Sequence, residues 1–139
     1  MASFVKYDAG IENMLKGTII AFSTTDTFKV ALTNTAPNTS THAGLADITE
    51  IAAGNGYTAG GTDSQNVGAR SGGTVTVAGV DIVFTASGGN IGPFRYAVLY
   101  DDTSSGDKLI GYWDYGSSVT LTTGQTFTVD FGASLFTLA

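Results

Sequence analysis

From about residue 18 onward the apolar residues of this chain recur at every second position, and that alternation does most to limit what the chain can fold into. Phe28, Val30 and Leu32 alternate with Thr27, Lys29, Ala31 and Thr33. Val75 and Val77 alternate with Thr74 and Thr76, and Val80, Ile82 and Phe84 with Asp81, Val83 and Thr85. Phe94, Tyr96, Val98 and Tyr100 follow, then Leu109 to Trp113, Val119 and Leu121, and Phe127, Val129 and Phe131. A strand turns successive side chains to opposite faces, so each run reads as a strand with one buried side. Gly88-Gly89-Asn90, Asp101 to Asp107, Tyr115-Gly116-Ser117 and Thr123-Gly124-Gln125 supply turns between them, and Ala78-Gly79 predicts a tight hairpin. Many short strands with glycine-rich turns predict an all-β fold, an antiparallel β-sandwich with the jelly roll as one form of it.

One segment departs from this period. In residues 4–16, Phe4, Tyr7 or Asp8, Ile11 and Leu15 fall three or four apart, although Gly10 weakens a helix there. A short helix or an extended arm is expected over residues 1–17, at the head of a single β-sandwich domain spanning 1–139. A second interruption runs from Thr33 to Ser71, through Pro37, the apolar stretch Leu45 to Ala53, and Gly54-Asn55-Gly56-Tyr57-Thr58-Ala59-Gly60-Gly61. A loop of that length is expected to be functional or to be ordered by a partner.

Charge excludes one class of partner. The net charge is −6, and the six basic residues (Lys6, Lys16, Lys29, Arg70, Arg95, Lys108) are scattered. Nucleic acid needs a basic footprint to neutralise phosphates, so no nucleic-acid partner is expected. Charged residues make up 13% of the chain, against roughly 25% in an average soluble protein, and Thr, Ser, Gly and Ala fill the gap. Such a surface lacks the dense charge that keeps monomers apart, which hints at assembly. There is no cysteine, hence no disulfide and no thiolate metal site. The opening Met-Ala-Ser-Phe-Val-Lys lacks a basic segment followed by an apolar run, and no stretch approaches the roughly 18 apolar residues of a membrane span. Neither a signal peptide nor a membrane partner is expected.

Residues that could carry chemistry are sparse. His42, the one histidine, lies in a Ser/Thr-rich loop and reads as a solvated loop residue rather than a catalytic base. Glu12 and Glu50 are the only glutamates, and the adjacent Asp101 and Asp102 should point apart, so a glycosidase pair of acids is not expected. Asp101 to Asp107 offers several oxygens to Ca²⁺ but lacks the EF-hand spacing, and the same residue types shape a plain hairpin turn. The glycines of 54–61 have no following Lys-Ser/Thr, so they read as backbone turns rather than a phosphate cradle. No catalytic residue, metal site or cofactor is assigned. The chain is read as a binding or assembling protein, not an enzyme. Aromatic residues concentrate in one predicted hairpin, and Trp113 should fall on the face opposite Tyr112. Phe4, Tyr7, Tyr57, Trp113 and Tyr115 are the candidate partner-binding residues.

Two stretches carry a resemblance. Leu45 through Gly61 is one; Val83 through Tyr100, followed by Leu109 through Ser118, is the other. Together they resemble a group of small proteins encoded among the head and structural genes of tailed bacteriophages, over most of the chain from about residue 26. The resemblance implies a virion structural protein. Its expected role is capsid decoration, as a cement protein on the outer surface of the phage head, where it stabilises the capsid. Its expected partners are the major capsid protein and further copies of itself, as a trimer or dimer. It would be assembled in the host cytoplasm and reside on the capsid surface. The alternative is a tail or fibre module binding host carbohydrate or another tail protein, and a small glycan-active enzyme is a third reading.

Overall fold

A computed structural model describes residues 2–19 and 26–139. The fold is all-β and sandwich-like, with antiparallel sheets and one short helix. The strands are β1 (Phe4–Lys6), β2 (Phe28–Thr33), β3 (Thr62–Asp63), β4 (Val67–Ser71), β5 (Thr74–Ala78), β6 (Ile82–Thr85), β7 (Ile91–Asp101), β8 (Lys108–Leu121), β9 (Thr126–Val129) and β10 (Phe136–Leu138). A five-stranded sheet runs in the order β1-β8-β7-β2-β3, and two smaller sheets run β10-β5-β4 and β6-β9.

Alternation sorts the side chains. In the large sheet Val30 pairs with Leu99, Leu32 with Ala97, and Ala97 with Trp113, so these residues share one face. That face packs against Val77 and Phe136 of one small sheet and Ile82, Phe84 and Val129 of the other, forming the main core. The two small sheets therefore make the second layer. The opposite face of the large sheet is covered as well: Ala31, Val98, Tyr100 and Leu109 pack with Tyr7 and Ile48, and Leu45 lies against them. A sheet covered on both sides has no polar face, which explains why β2 and much of β7 are buried at nearly every position.

The N-terminal segment folds back on its own sheet. It contains both a strand and a helix: β1 pairs with β8, with Phe4 opposite Trp113, and α1 (Asp8–Leu15) follows directly. The expected apolar stripe is not what seats the helix, since Ile11 is 37% and Leu15 86% exposed. Gly10 seats it instead. An added Cβ there would lie 2.7 Å from the Leu109 carbonyl oxygen, so only glycine lets the helix approach β8 this closely.

The predicted Ala78-Gly79 hairpin does not form, because β5 and β6 belong to different sheets. The Val80 N–H instead binds the Ser64 carbonyl at 2.8 Å, carrying the chain across between layers. The hairpin lies one strand earlier, where β4 and β5 join through Gly72-Gly73.

The long loop is ordered by the chain itself. The Tyr57 hydroxyl accepts the Leu32 N–H at 3.0 Å and donates to Glu50, whose Oε1 also accepts the Gly60 N–H. Tyr100 donates to the Gly60 carbonyl at 2.6 Å. Burial pushes the Tyr57 hydroxyl pKa up, and its bond to Glu50 adds to this, so it stays protonated as the donor.

Candidate docking face

The sequence-predicted partner residues lie mostly inside. Tyr7, Tyr57 and Trp113 are buried, and Phe4 and Tyr115 are partly buried against the main core. Trp113 packs on Phe4 at 4.9 Å and Phe131 at 5.3 Å between ring centroids. Tyr115 meets Phe127 edge-on at 4.8 Å, and burial pushes its hydroxyl up to about 12. Tyr7 packs against Tyr112 with the rings tilted at 58°, its buried hydroxyl without a hydrogen-bond partner. These rings hold the two layers and the N-terminal segment together, so they present no aromatic platform to a partner. Tyr57 and Trp113 are buried in the main core between the layers and Tyr7 under the second cover of the large sheet, an assignment that alternation within single strands does not reveal.

The polar candidates are likewise engaged within the fold. His42 Nδ1 accepts the Asn38 N–H at 3.2 Å, and Glu12 pairs with Lys16. Asp102, just past the end of β7, is exposed and pairs with Lys29 at 2.9 Å, whereas Asp101 is buried. Asp101 turns inward and shapes the β7–β8 turn, accepting the Thr103 N–H at 3.0 Å and the Ser104 N–H at 3.3 Å. Among the described residues, no three His, Cys, Asp or Glu side chains are placed to hold a metal ion. An open depression of about 330 Å³ lies between Asn34, Thr35, Thr49, Glu50, Ile51, Ala52, Gly92 and Pro93. Its one ionisable side chain is Glu50, already bound by Tyr57 and Gly60. No described helix is long and apolar enough to cross a membrane.

Asp101 has one consequence in solution. It is fully buried, its Oδ2 has no hydrogen-bond donor, and the Asp26 carboxyl stands beside it. Burial first, and Asp26 next, push its pKa up to about 6 from 3.8, against the pull of the Thr103 and Ser104 amides. A carboxyl whose folded pKa is raised contributes stability that is full below the unfolded value and lost as pH rises through the folded one. Acidification from about pH 7 to about pH 4 is therefore expected to recover on the order of 2 kcal/mol from this site. Urea titrations of the native chain and Asp101→Asn across that range read the difference. Equal pH slopes in the two would show that Asp101 titrates normally.

What the fold leaves open is the outward side of the second layer. Val77, Ile82, Phe84, Val129 and Phe136 point into the core, so their neighbours in each strand point out. On the three-stranded sheet these are Thr74, Thr76 and Ala78 of β5, Val67, Ala69 and Ser71 of β4, and Thr137 of β10. On the two-stranded sheet they are Val83 and Thr85, paired with Thr128 and Thr126. None of them is charged, and Val67 and Val83 stay more than half exposed. Arg70 is the one charged residue in these five strands, and its register puts it on the side of Val77. The other layer carries Lys6, Lys29, Asp63, Arg95, Asp101, Lys108 and Asp114 in its strands. Hydroxyls, methyls and short apolar side chains can leave water for a protein surface without the cost of stripping ions. Depletion of charge is also what marks the centre of protein interfaces. The signal for this face was present in the sequence as the Thr/Val/Ala alternation of 74–78, 83–85 and 126–128, with the exposed Asp81 and Asp130 flanking the two-stranded sheet at one end.

Comparison with known proteins gives no relative: no family model, no curated protein and no solved structure matches the chain.

Proposed function

We propose that this chain is a non-enzymatic virion structural protein, a capsid decoration or cement protein. It binds the outer surface of a phage head and stabilises it, with the major capsid protein as its partner. The reading rests on the uncharged outward side of the second layer, in a chain whose net charge is −6. A contact of this kind needs roughly 1,200–2,000 Å² of buried surface, and a strand face without charged side chains can supply its share without desolvating a charge. The resemblance of residues 45–61, 83–100 and 109–118 to phage head-gene products points the same way. A carbohydrate-binding tail module would need an exposed aromatic row, and Tyr57 and Trp113 are core residues here.

The experiment is co-sedimentation of the purified chain with heads of its phage assembled without it. Saturable binding at hundreds of copies per head is expected. Val83→Glu places a carboxylate on the outward side and is expected to weaken binding at least about tenfold, because a charge would then be buried unpaired. Leu15→Glu, on the exposed side of α1, should bind as the native chain does. Binding at a few copies per particle, or none, would move the protein to the tail or off the virion.

A further inference from the structure

The three-stranded sheet ends at β4, and no described strand pairs with its outer edge. An edge of this kind presents a row of unpaired N–H and C=O groups that can accept another strand, and proteins usually blunt it. Some edges here are blunted by shortness: β3 has two residues, and β1 and β10 have three each. β4 has five residues in unbroken register with β5 and contains no proline. Its side chains are short apart from Val67 and Arg70, and four of its five residues are exposed.

We propose that β4 pairs with β4 of a second copy, antiparallel about a two-fold axis at Ala69, joining the two three-stranded sheets into one. The edge is self-complementary in this register. Ala69 meets Ala69 of the second copy, Val67 meets Ser71, and Arg70 meets Gly68. Like charges directly opposite destabilise a strand pair, and the offset keeps the two arginines from facing each other. The missing side chain of Gly68 leaves room for the Arg70 stem across the pair. β4 also carries no acid, so it offers an approach at which two chains of net charge −6 need not set carboxylates against each other, and Arg70 is drawn to an acidic partner. An isologous pair closes on itself and leaves no further edge at that site. The uncharged outward sides of both copies then form one continuous surface. This pairing is independent of the virion reading, because it concerns the free chain and is measured without heads.

The chain has no cysteine, so a single introduced one reports unambiguously. Directly opposed residues of an antiparallel pair lie about 4.5–5.5 Å apart at Cα, within reach of a disulfide. Mild oxidation of full-length Ala69→Cys is expected to give a covalent dimer at least about tenfold faster than Leu15→Cys on exposed α1. Equal rates in the two variants would overturn the proposal. Sedimentation equilibrium provides a second reading. Ala69→Glu and Ala69→Lys should each dissociate the dimer, raising its dissociation constant about tenfold or more, and an equimolar mixture of the two should restore it. Ala69 is exposed, so both variants are expected to keep the native circular dichroism spectrum. A native chain that remains monomeric at millimolar concentration, or a dimer indifferent to both charges, would also overturn it.

Discussion

Trp113→Ala is expected to destabilise the chain by about 3–5 kcal/mol, the range for removing a large aromatic from a packed core. Trp113 is 4% exposed and lies between Phe4 and Phe131. Alanine leaves a cavity where the N-terminal strand meets the sandwich. Phe4 then loses the ring it pairs with across β1 and β8, while its stacking on Phe136, at 5.8 Å between centroids, remains. The loss should therefore appear first as early exchange of the β1 amides and then as a lower urea midpoint. Leu15→Ala, at a site 86% exposed, should leave the midpoint within about 0.5 kcal/mol of native. The same pair of variants decides between two roles for the tryptophan. A partner-facing indole would cost binding and little stability, so an unchanged midpoint for Trp113→Ala would falsify the core assignment.

Gly61→Ala should be comparably damaging, at about 3 kcal/mol or more, for a reason invisible in any list of buried residues. Gly61 has φ +76°, and an added Cβ would lie 1.8 Å from the Val30 carbonyl oxygen in a central strand. The backbone at Gly60 and Gly61 is held there from several sides: Glu50 accepts one amide, Thr58 accepts the other at 2.9 Å, and Tyr100 donates to the Gly60 carbonyl. The turn cannot step away without giving up those bonds and uncovering Tyr57. Gly72 isolates the conformational part, since it has φ +59° with nothing within 4 Å of its added Cβ. Gly72→Ala should cost only about 1–2 kcal/mol, the left-handed backbone penalty. If both variants lose the same amount in denaturant titration, close packing on Val30 contributes nothing.

The two variants also mark where sequence reasoning succeeds and where it stops. Period-two alternation located the strands, because the pleat forces it wherever one face is buried and the other wet. The same rule failed on the large sheet. Val98 and Tyr100 read as inward residues with Ala97 and Leu99 as their outward partners, and Ala31 as an outward partner of Val30. Instead Val30, Ala97 and Leu99 share the main core, while Ala31, Val98 and Tyr100 are buried under Tyr7, Leu45 and Ile48. Their cover comes from segments tens of residues away, which no local pattern reports. Gly10 was a weakness in a helix by propensity and became its point of contact, since approach to the β8 backbone is a tertiary fact. Strand neighbours were equally hidden. Ala78-Gly79 has the composition of a hairpin, but whether two consecutive strands pair or part between layers depends on which sheet offers each a better buried face.

The sequence by itself determined that the chain is all-β, that it has neither thiol nor basic patch, and that its strand runs alternate between apolar and hydroxyl-bearing residues. These are local properties, set by side-chain period and composition. Only the tertiary structure decided which aromatics are core, which glycines are in contact, and which strand edge and face remain uncovered. Those depend on how distant segments are stacked: a residue's burial is the sum of everything folded over it, and alternation specifies only the side on which that cover must come.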